Sequence, residues 1–271
     1  MTIDAALVGA RFFHFGAAML VFGASVFPYY ARAPARFPIR GASALALLSG
    51  AAWLCCTIII IEGSFAATSL SDVGQVLVQT GFGRAWMIHL AFGALLVVVS
   101  CFPQRLWIAF ASGANLVTLA GIGHAAIGEG IAQGVHVLGY AAHLCAGAVW
   151  LGGLIPLWRA CAVLETGERR ALVRRFSAIG YFAVAVVVMT GALNVRFVTG
   201  EFMVPWRTPY GQWLALKLGL VAALLMLALY NQFVASRRDQ AAPLRIGIGA
   251  ELAAFAGILG AVSWLGVTPP M

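Results

Sequence analysis

Eight apolar runs, each close to twenty residues long and nearly free of charge, leave this chain few folds to choose from. They fall at roughly 5–29, 41–61, 83–102, 106–127, 135–158, 172–198, 212–235 and 244–266, each about the length that crosses a bilayer as a helix. With 62% hydrophobic and only 10% charged residues, there is too little polar surface to clothe a soluble globule. The expected fold is an all-α, polytopic membrane bundle of eight transmembrane helices. Because the connections are short, residues 1–271 read as a single transmembrane domain without a soluble module.

Charge orients the bundle. Arg32, Arg36, Arg40, Arg105, Arg159, Arg169, Arg170, Arg174, Arg175, Arg237, Arg238 and Arg245 fall in or beside alternate connections, twelve of the 17 basic residues. Asp4, Glu62, Asp72, Glu129 and Glu201 lie on the other side. The positive-inside rule then puts both termini in the periplasm. The net charge of +8 faces the anionic cytoplasmic leaflet. No clustered basic domain is present, so no nucleic-acid partner is expected. The N-terminal run lacks a basic n-region and is followed by its arginines, so it reads as a span that stays. The five cysteines have no framework spacing and imply no disulfides.

The two halves of the chain share a template. His14 and His143, and Gly23 and Gly152, stand 129 residues apart. Pro28 and Pro156, Gly83 and Gly211, and His89 and Lys217 stand 128 apart. These offsets predict a 4+4 internal repeat, 1–128 and 129–271. An even number of spans per half makes it a parallel repeat, with a pseudo-twofold axis along the membrane normal. On that expectation His14 and His143 are counterparts facing one shared site.

Ionisable groups inside a bilayer are costly, and so they mark paths or sites. Three of the five histidines lie on the central hairpin from Gly121 to Trp158. At ~1.5 Å per helical residue, His143 lies ~12 Å below the outer edge, His89 ~9 Å, His124 ~6 Å and His14 ~15 Å, with His136 at the outer interface. No histidine falls in a cytoplasmic connection. All five are candidate metal ligands. His136 reads equally as an entrance ligand or a solvated side chain, and His124 sits among glycines that allow close helix approach. His89 follows Met87, whose thioether suits a soft metal, whereas its counterpart Lys217 argues against obligatory ligation. His136 and His143 share a helix face but stand ~10 Å apart, too far for one ion.

Cys55 and Cys56 could ligate Cu(I) but read better as small core residues. Glu251, an acid deep in the eighth run, reads either as a proton or ion station or as a partner of Arg245. Asn194 and Lys217 gather toward the outer ends of the sixth and seventh spans. Trp150, Trp206, Trp213 and Trp264 fit interfacial belts. No phosphate-binding loop or nucleophilic triad is present.

The motif order is specific. GHAAIGEG at 123–130, HLCAGAVWLGGLIPLW at 143–158, RRFSAIGYFAVAVVVMTGALN at 174–194, TPYGQWLALKLGL at 208–220 and a final SWLGVTPP together resemble the copper resistance D family, CopD. The resemblance covers nearly the whole chain. It rests on His124, His143, Trp150, Gly152, Gly153, Arg175, Phe176, Asn194, Thr208, Tyr210, Gly211 and Lys217, while His14 fits the family's first span less specifically. It implies a multi-pass bacterial inner-membrane protein that handles copper in a lipid setting, often beside a periplasmic partner of the CopC type.

Three functions remain open on the sequence. Copper, as Cu(I) or Cu(II), could move between periplasm and cytoplasm through a histidine-lined site between the repeats, with Trp150, Lys217 and Asn194 in support. Alternatively His14 and His143 could be axial ligands of haem b in a membrane electron carrier or cupric reductase, which would make the protein an oxidoreductase. Thirdly, the chain could anchor a periplasmic copper protein and transport nothing.

Overall fold

The computed structural model describes residues 3–35, 37–63, 69–123, 129–200, 206–238 and 240–269. All regular structure in them is helical. In chain order the helices are α1 (Ile3–Ala31), α2 (Ile39–Glu62), α3 (Leu70–Gln79), α4 (Gly81–Ser100), α5 (Arg105–Thr118), α6 (Gly130–Cys161), α7 (Thr166–Thr199), α8 (Pro209–Phe233) and α9 (Ala242–Leu265). Helices are forced on such a chain because every backbone N–H and C=O in lipid must be satisfied within its own segment. The outer face remains apolar, with Leu48, Leu138, Phe182 and Ile246 among its exposed side chains.

Seven of the described helices are long and apolar enough to cross a membrane. The expected fourth span is realised differently. α5 has 14 residues and is continued by a 3-10 turn, Leu119–Gly121. Together they reach ~27 Å against a hydrocarbon core of ~30 Å. Conversely, α6 and α7 have 32 and 34 residues. At ~48 and ~51 Å they must tilt or extend past the lipid. The short α3 is absent from the hydropathy reading. It packs on α4, where a Cβ at Gly83 would strike the Val76 and Leu77 backbone.

α1 and α6 form the centre. α1 packs on α2, α5, α6 and α9, and α6 packs on α1, α5, α7 and α9. They cross at Gly23 and Gly152, where a Cβ on either would come within 2.6 Å of the other's Cα. Gly153 lies between two helices, and a Cβ there would meet the Tyr30 hydroxyl of α1 at 2.5 Å and the Phe176 ring of α7 at 2.6 Å. The paired glycines of the WLGGL motif thus admit two different neighbours, and backbone-to-backbone contact of this kind is a common way for membrane helices to associate.

Helix ends repeat between the halves. Thr80 and Thr208, both extended, cap α4 and α8 by accepting from the N–H of Gly83 at 2.9 Å and of Gly211 at 3.0 Å. α2 and α7 both end on a left-handed glycine, Gly63 (φ 83°) and Gly200 (φ 77°).

Candidate functional site

Two histidines meet in the first half. His14 on α1 and His89 on α4 lie ~16 and ~12 Å from their helix starts. Their Nε2 atoms stand 3.1 Å apart, and each side chain is 1% exposed. The rings lie 5.0 Å apart at 71°, so neither stacks on the other. Trp53 packs edge-on to His14 at 5.8 Å and Trp86 edge-on to His89 at 5.6 Å. Gly50 on α2 leaves the space that the His14 ring occupies, since a Cβ there would lie 3.0 Å from Nδ1 and Cε1.

The outward nitrogens are held as well. His14 Nδ1 lies 2.8 Å from the Ala46 carbonyl, which can only accept, so that nitrogen carries the proton and Nε2 presents a lone pair. His89 Nδ1 lies 2.7 Å from Thr118 Oγ1, while the same hydroxyl lies 2.7 Å from the Asn115 carbonyl. Asn115 Nδ2 in turn donates to the His89 backbone carbonyl at 3.1 Å.

Thr118 has one proton for two acceptors, which gives the pair two states. If the hydroxyl donates to His89 Nδ1, then His89 carries its proton on Nε2 and donates it to His14. If the hydroxyl stays on Asn115, His89 donates from Nδ1 and two Nε2 lone pairs confront each other. Only a cation placed between them relieves the second state. Holding the far nitrogen of a ligating imidazole is the usual way proteins orient such a ligand.

No acid faces the pair among the described residues, and Arg11, one turn before His14, lays its guanidinium 4.3 Å over the Trp53 ring. Two neutral imidazoles beside a fixed positive charge favour a singly charged ion over a doubly charged one. Met87 points elsewhere, with its side chain 39% exposed toward lipid while His89 is buried, so the thioether expected near the site does not join it.

The second half is built differently. His143, half-buried on α6, has Nδ1 3.0 Å from Thr190 Oγ1 of α7, and that hydroxyl donates to the Val186 carbonyl. A Cβ at Gly191 would lie 3.5 Å from its ring. Lys217 of α8 lies within electrostatic reach of it. One turn beyond Thr190, Asn194 keeps its buried Oδ1 without a hydrogen-bond partner. His14 is therefore brought to His89, and no described contact joins it to His143.

Three expectations change. His136 is buried, not solvated, with its ring stacked 4.6 Å from Phe197 at 11°, because α6 begins six residues earlier and α7 covers it. Trp150 does not belong to an interfacial belt: it lies mid-helix, 5% exposed and edge-on to Phe255. Glu251 does not pair with Arg245, whose guanidinium sits 4.0 Å over Trp158, but accepts a 2.6 Å hydrogen bond from Asn231. His124 lies outside the described residues. Among those described, no three His, Cys, Asp or Glu side chains gather into a metal cluster.

Comparison with known proteins adds the chemistry. The profile of the copper resistance protein D-like N-terminal domain matches residues 1–135, and that of copper resistance protein D matches residues 170–265. Inner membrane protein YebZ of Escherichia coli (strain K12) is 33% identical over 261 residues, covering 87% of this chain and 88% of the relative. Copper resistance protein D of Pseudomonas syringae pv. tomato is 26% identical over 302 residues, covering 98% and 97%. Copper transport protein CutJ of Bacillus subtilis (strain 168) is 29% identical over 199 residues, 67% of this chain but 35% of that relative. No solved structure matches the chain.

Proposed function

The chain belongs to the copper resistance protein D family, and from that premise we propose that it carries Cu(I) across the inner membrane by way of the His14–His89 pair. One observation carries this reading: the two Nε2 atoms face each other at 3.1 Å with both Nδ1 atoms already engaged. A first-row ion sits ~2 Å from an imidazole nitrogen. Parting the nitrogens to ~4 Å therefore makes a linear two-coordinate site, which imidazole offers to copper and which suits the monovalent ion.

His136 and His143 on α6, with His124 six residues before that helix in sequence, serve as further stations toward the periplasm. Asn194, Lys217 and Trp150 support the second half. A periplasmic protein of the CopC type would deliver the ion on the side where α1 begins, with both termini outside the cytoplasm. α5 with its 3-10 turn makes the eighth crossing. The 4+4 repeat in this single domain is supported by reciprocal contacts: Gly23 against Gly152, the capping threonines Thr80 and Thr208, and the terminal glycines Gly63 and Gly200.

The haem reading draws no support from this geometry. His14 turns its free nitrogen to His89 and not to His143, and Trp53 and Trp86 pack edge-on against the two rings where a macrocycle would need a flat cavity. The anchor reading predicts that both histidines are dispensable.

Titrating the protein in lipid nanodiscs with Cu(I) against a competing chelator, with X-ray absorption on the product, tests the proposal. Two nitrogen ligands, lost in His14→Ala and in His89→Ala, are the expected result. Stoichiometric copper retained in both variants would overturn it.

A further inference from the structure

A second polar cluster lies in the opposite half of the bundle. Glu251 on α9 is 3% exposed and Asn231 on α8 is 4% exposed. Asn231 Nδ2 donates to Glu251 Oε1 at 2.6 Å, and Trp150 on α6 lines the same cavity wall as the carboxyl. The donor is neutral. Asn231 Oδ1 is buried with no hydrogen-bond partner. It is pressed against α9 at Gly247, where any Cβ would strike it. Beside the cluster opens a cavity of about 240 Å³, into whose wall Glu251, Asn231, Trp150, Ser177, Tyr181 and Gln232 all enter.

The hydrogen-bond inventory is short by one donor. With Glu251 ionised, the cluster holds a carboxylate without a counter-charge and an orphan amide oxygen, each costly in an apolar bundle. A proton on the carboxyl cures both faults. Charge disappears, and the new O–H is the donor that Asn231 Oδ1 lacks, since a carboxylic acid and a primary amide are planar groups that can pair head to head. An alkali ion fits worse. An N–H already points at the carboxyl, and a hard cation needs about six oxygen ligands.

The charged and titratable groups around the cluster are otherwise engaged or remote. From α7, Tyr181 donates to Gln232 Oε1 at 2.6 Å in the cavity wall. Arg170 of α7 donates to the Arg237 carbonyl at 2.5 Å, and the Arg237 and Arg238 side chains of the turn after α8 are exposed. Arg245, on α9 itself, covers Trp158. Lys217 is ~21 Å away along α8, and Arg11 of α1 meets α9 at Gly266, ~22 Å from Glu251. On α6, Arg159 lies nine residues beyond Trp150, ~13 Å along that helix.

We infer that Glu251, Asn231 and Trp150 form a proton-binding site, separate from the histidine pair, that loads and unloads through the adjoining cavity. The site does not depend on the copper reading.

Infrared difference spectra of the protein in nanodiscs, recorded as buffer pH is stepped across the neutral range, test it without copper. A protonated-carboxyl band that grows as pH falls, shifts in D2O and is absent from Glu251→Gln is the expected result. Asn231→Leu removes the N–H that holds the carboxylate and leaves the carboxyl against an apolar side chain, so it should displace the midpoint of that band to higher pH. The proposal is overturned if no titrating band depends on Glu251, if the band is present at every pH, or if exchanging sodium for choline at fixed pH reproduces the change. Copper uptake, measured separately, can fail without altering any of these readings.

Discussion

The two halves of the bundle place comparable side chains at comparable depths and use them differently. In the first, α1 and α4 bring His14 to His89, sealed by Trp53 and Trp86. In the second, the corresponding positions hold His143 and Lys217, and His143 is only half-buried. Both histidines keep a polar partner on Nδ1, the Ala46 carbonyl in one case and Thr190 in the other. The scaffolding around the imidazole is thus alike while its counterpart differs. An ammonium in place of an imidazole offers no lone pair when protonated and repels a metal cation. One half thus opposes two ring nitrogens, and the other sets a single imidazole near an amine.

The strongest way to break the comparison is at the crossing the halves share. Gly23→Leu drives a side chain into the Gly152 backbone, which has no flexible end to yield. Overpacking typically costs ~1–3 kcal/mol, and backbone contact puts this case at or above ~3 kcal/mol. Folded yield and thermal stability in detergent should collapse, and Gly152→Leu should do the same.

Next comes the asymmetry itself. His89→Ala should abolish chelator-resistant Cu(I) binding while His143→Ala leaves most of it. Equal losses in equilibrium titration would show that the halves share one site after all. Thr118→Val probes the far nitrogen of His89. Losing such an orienting partner costs ~10–100-fold in metal affinity, so copper affinity should weaken by that factor without loss of stoichiometry. The smallest effect is expected from Lys217→His, which restores an imidazole opposite His143. It should add a second, weaker Cu(I) equivalent, visible as an extra step in the same titration.

Much of this architecture was legible in the chain. Long apolar runs have one solution in lipid, and the offsets of 128 and 129 singled out Gly23 and Gly152, which meet at the crossing, and Gly83 and Gly211, whose N–H groups the capping threonines hold. The fourth span was overestimated because hydropathy counts residues, whereas α5 gives way to a 3-10 turn at Leu119.

The histidine pairing was not legible. Symmetry-related residues touch only near the axis, and the proposed axis passes by Gly23 and Gly152. His14 lies ~13 Å along α1 from that point, and its ring turns into its own half. Its true partners depend on which helices are neighbours, a matter that spacing does not encode. Thr118 and Asn115 looked like ordinary small polar residues near the end of a helix. Trp86, one turn before His89 and only five residues into α4, gave no hint either, since a tryptophan at that depth reads as an interfacial anchor.

The glycine crossing also bears on motion. Where two backbones touch at paired glycines, one body can rock on the other as on a pivot, with the Met19 and Tyr30 side chains of α1 reaching α6 at Gly147 and Gly153 beside the contact. Both members of the histidine pair sit on the same arm of that lever. Such a tilt would leave their 3.1 Å separation unchanged while sweeping the face they present from one side of the bilayer toward the other. The seat would travel with its passenger, and only the doorway would change.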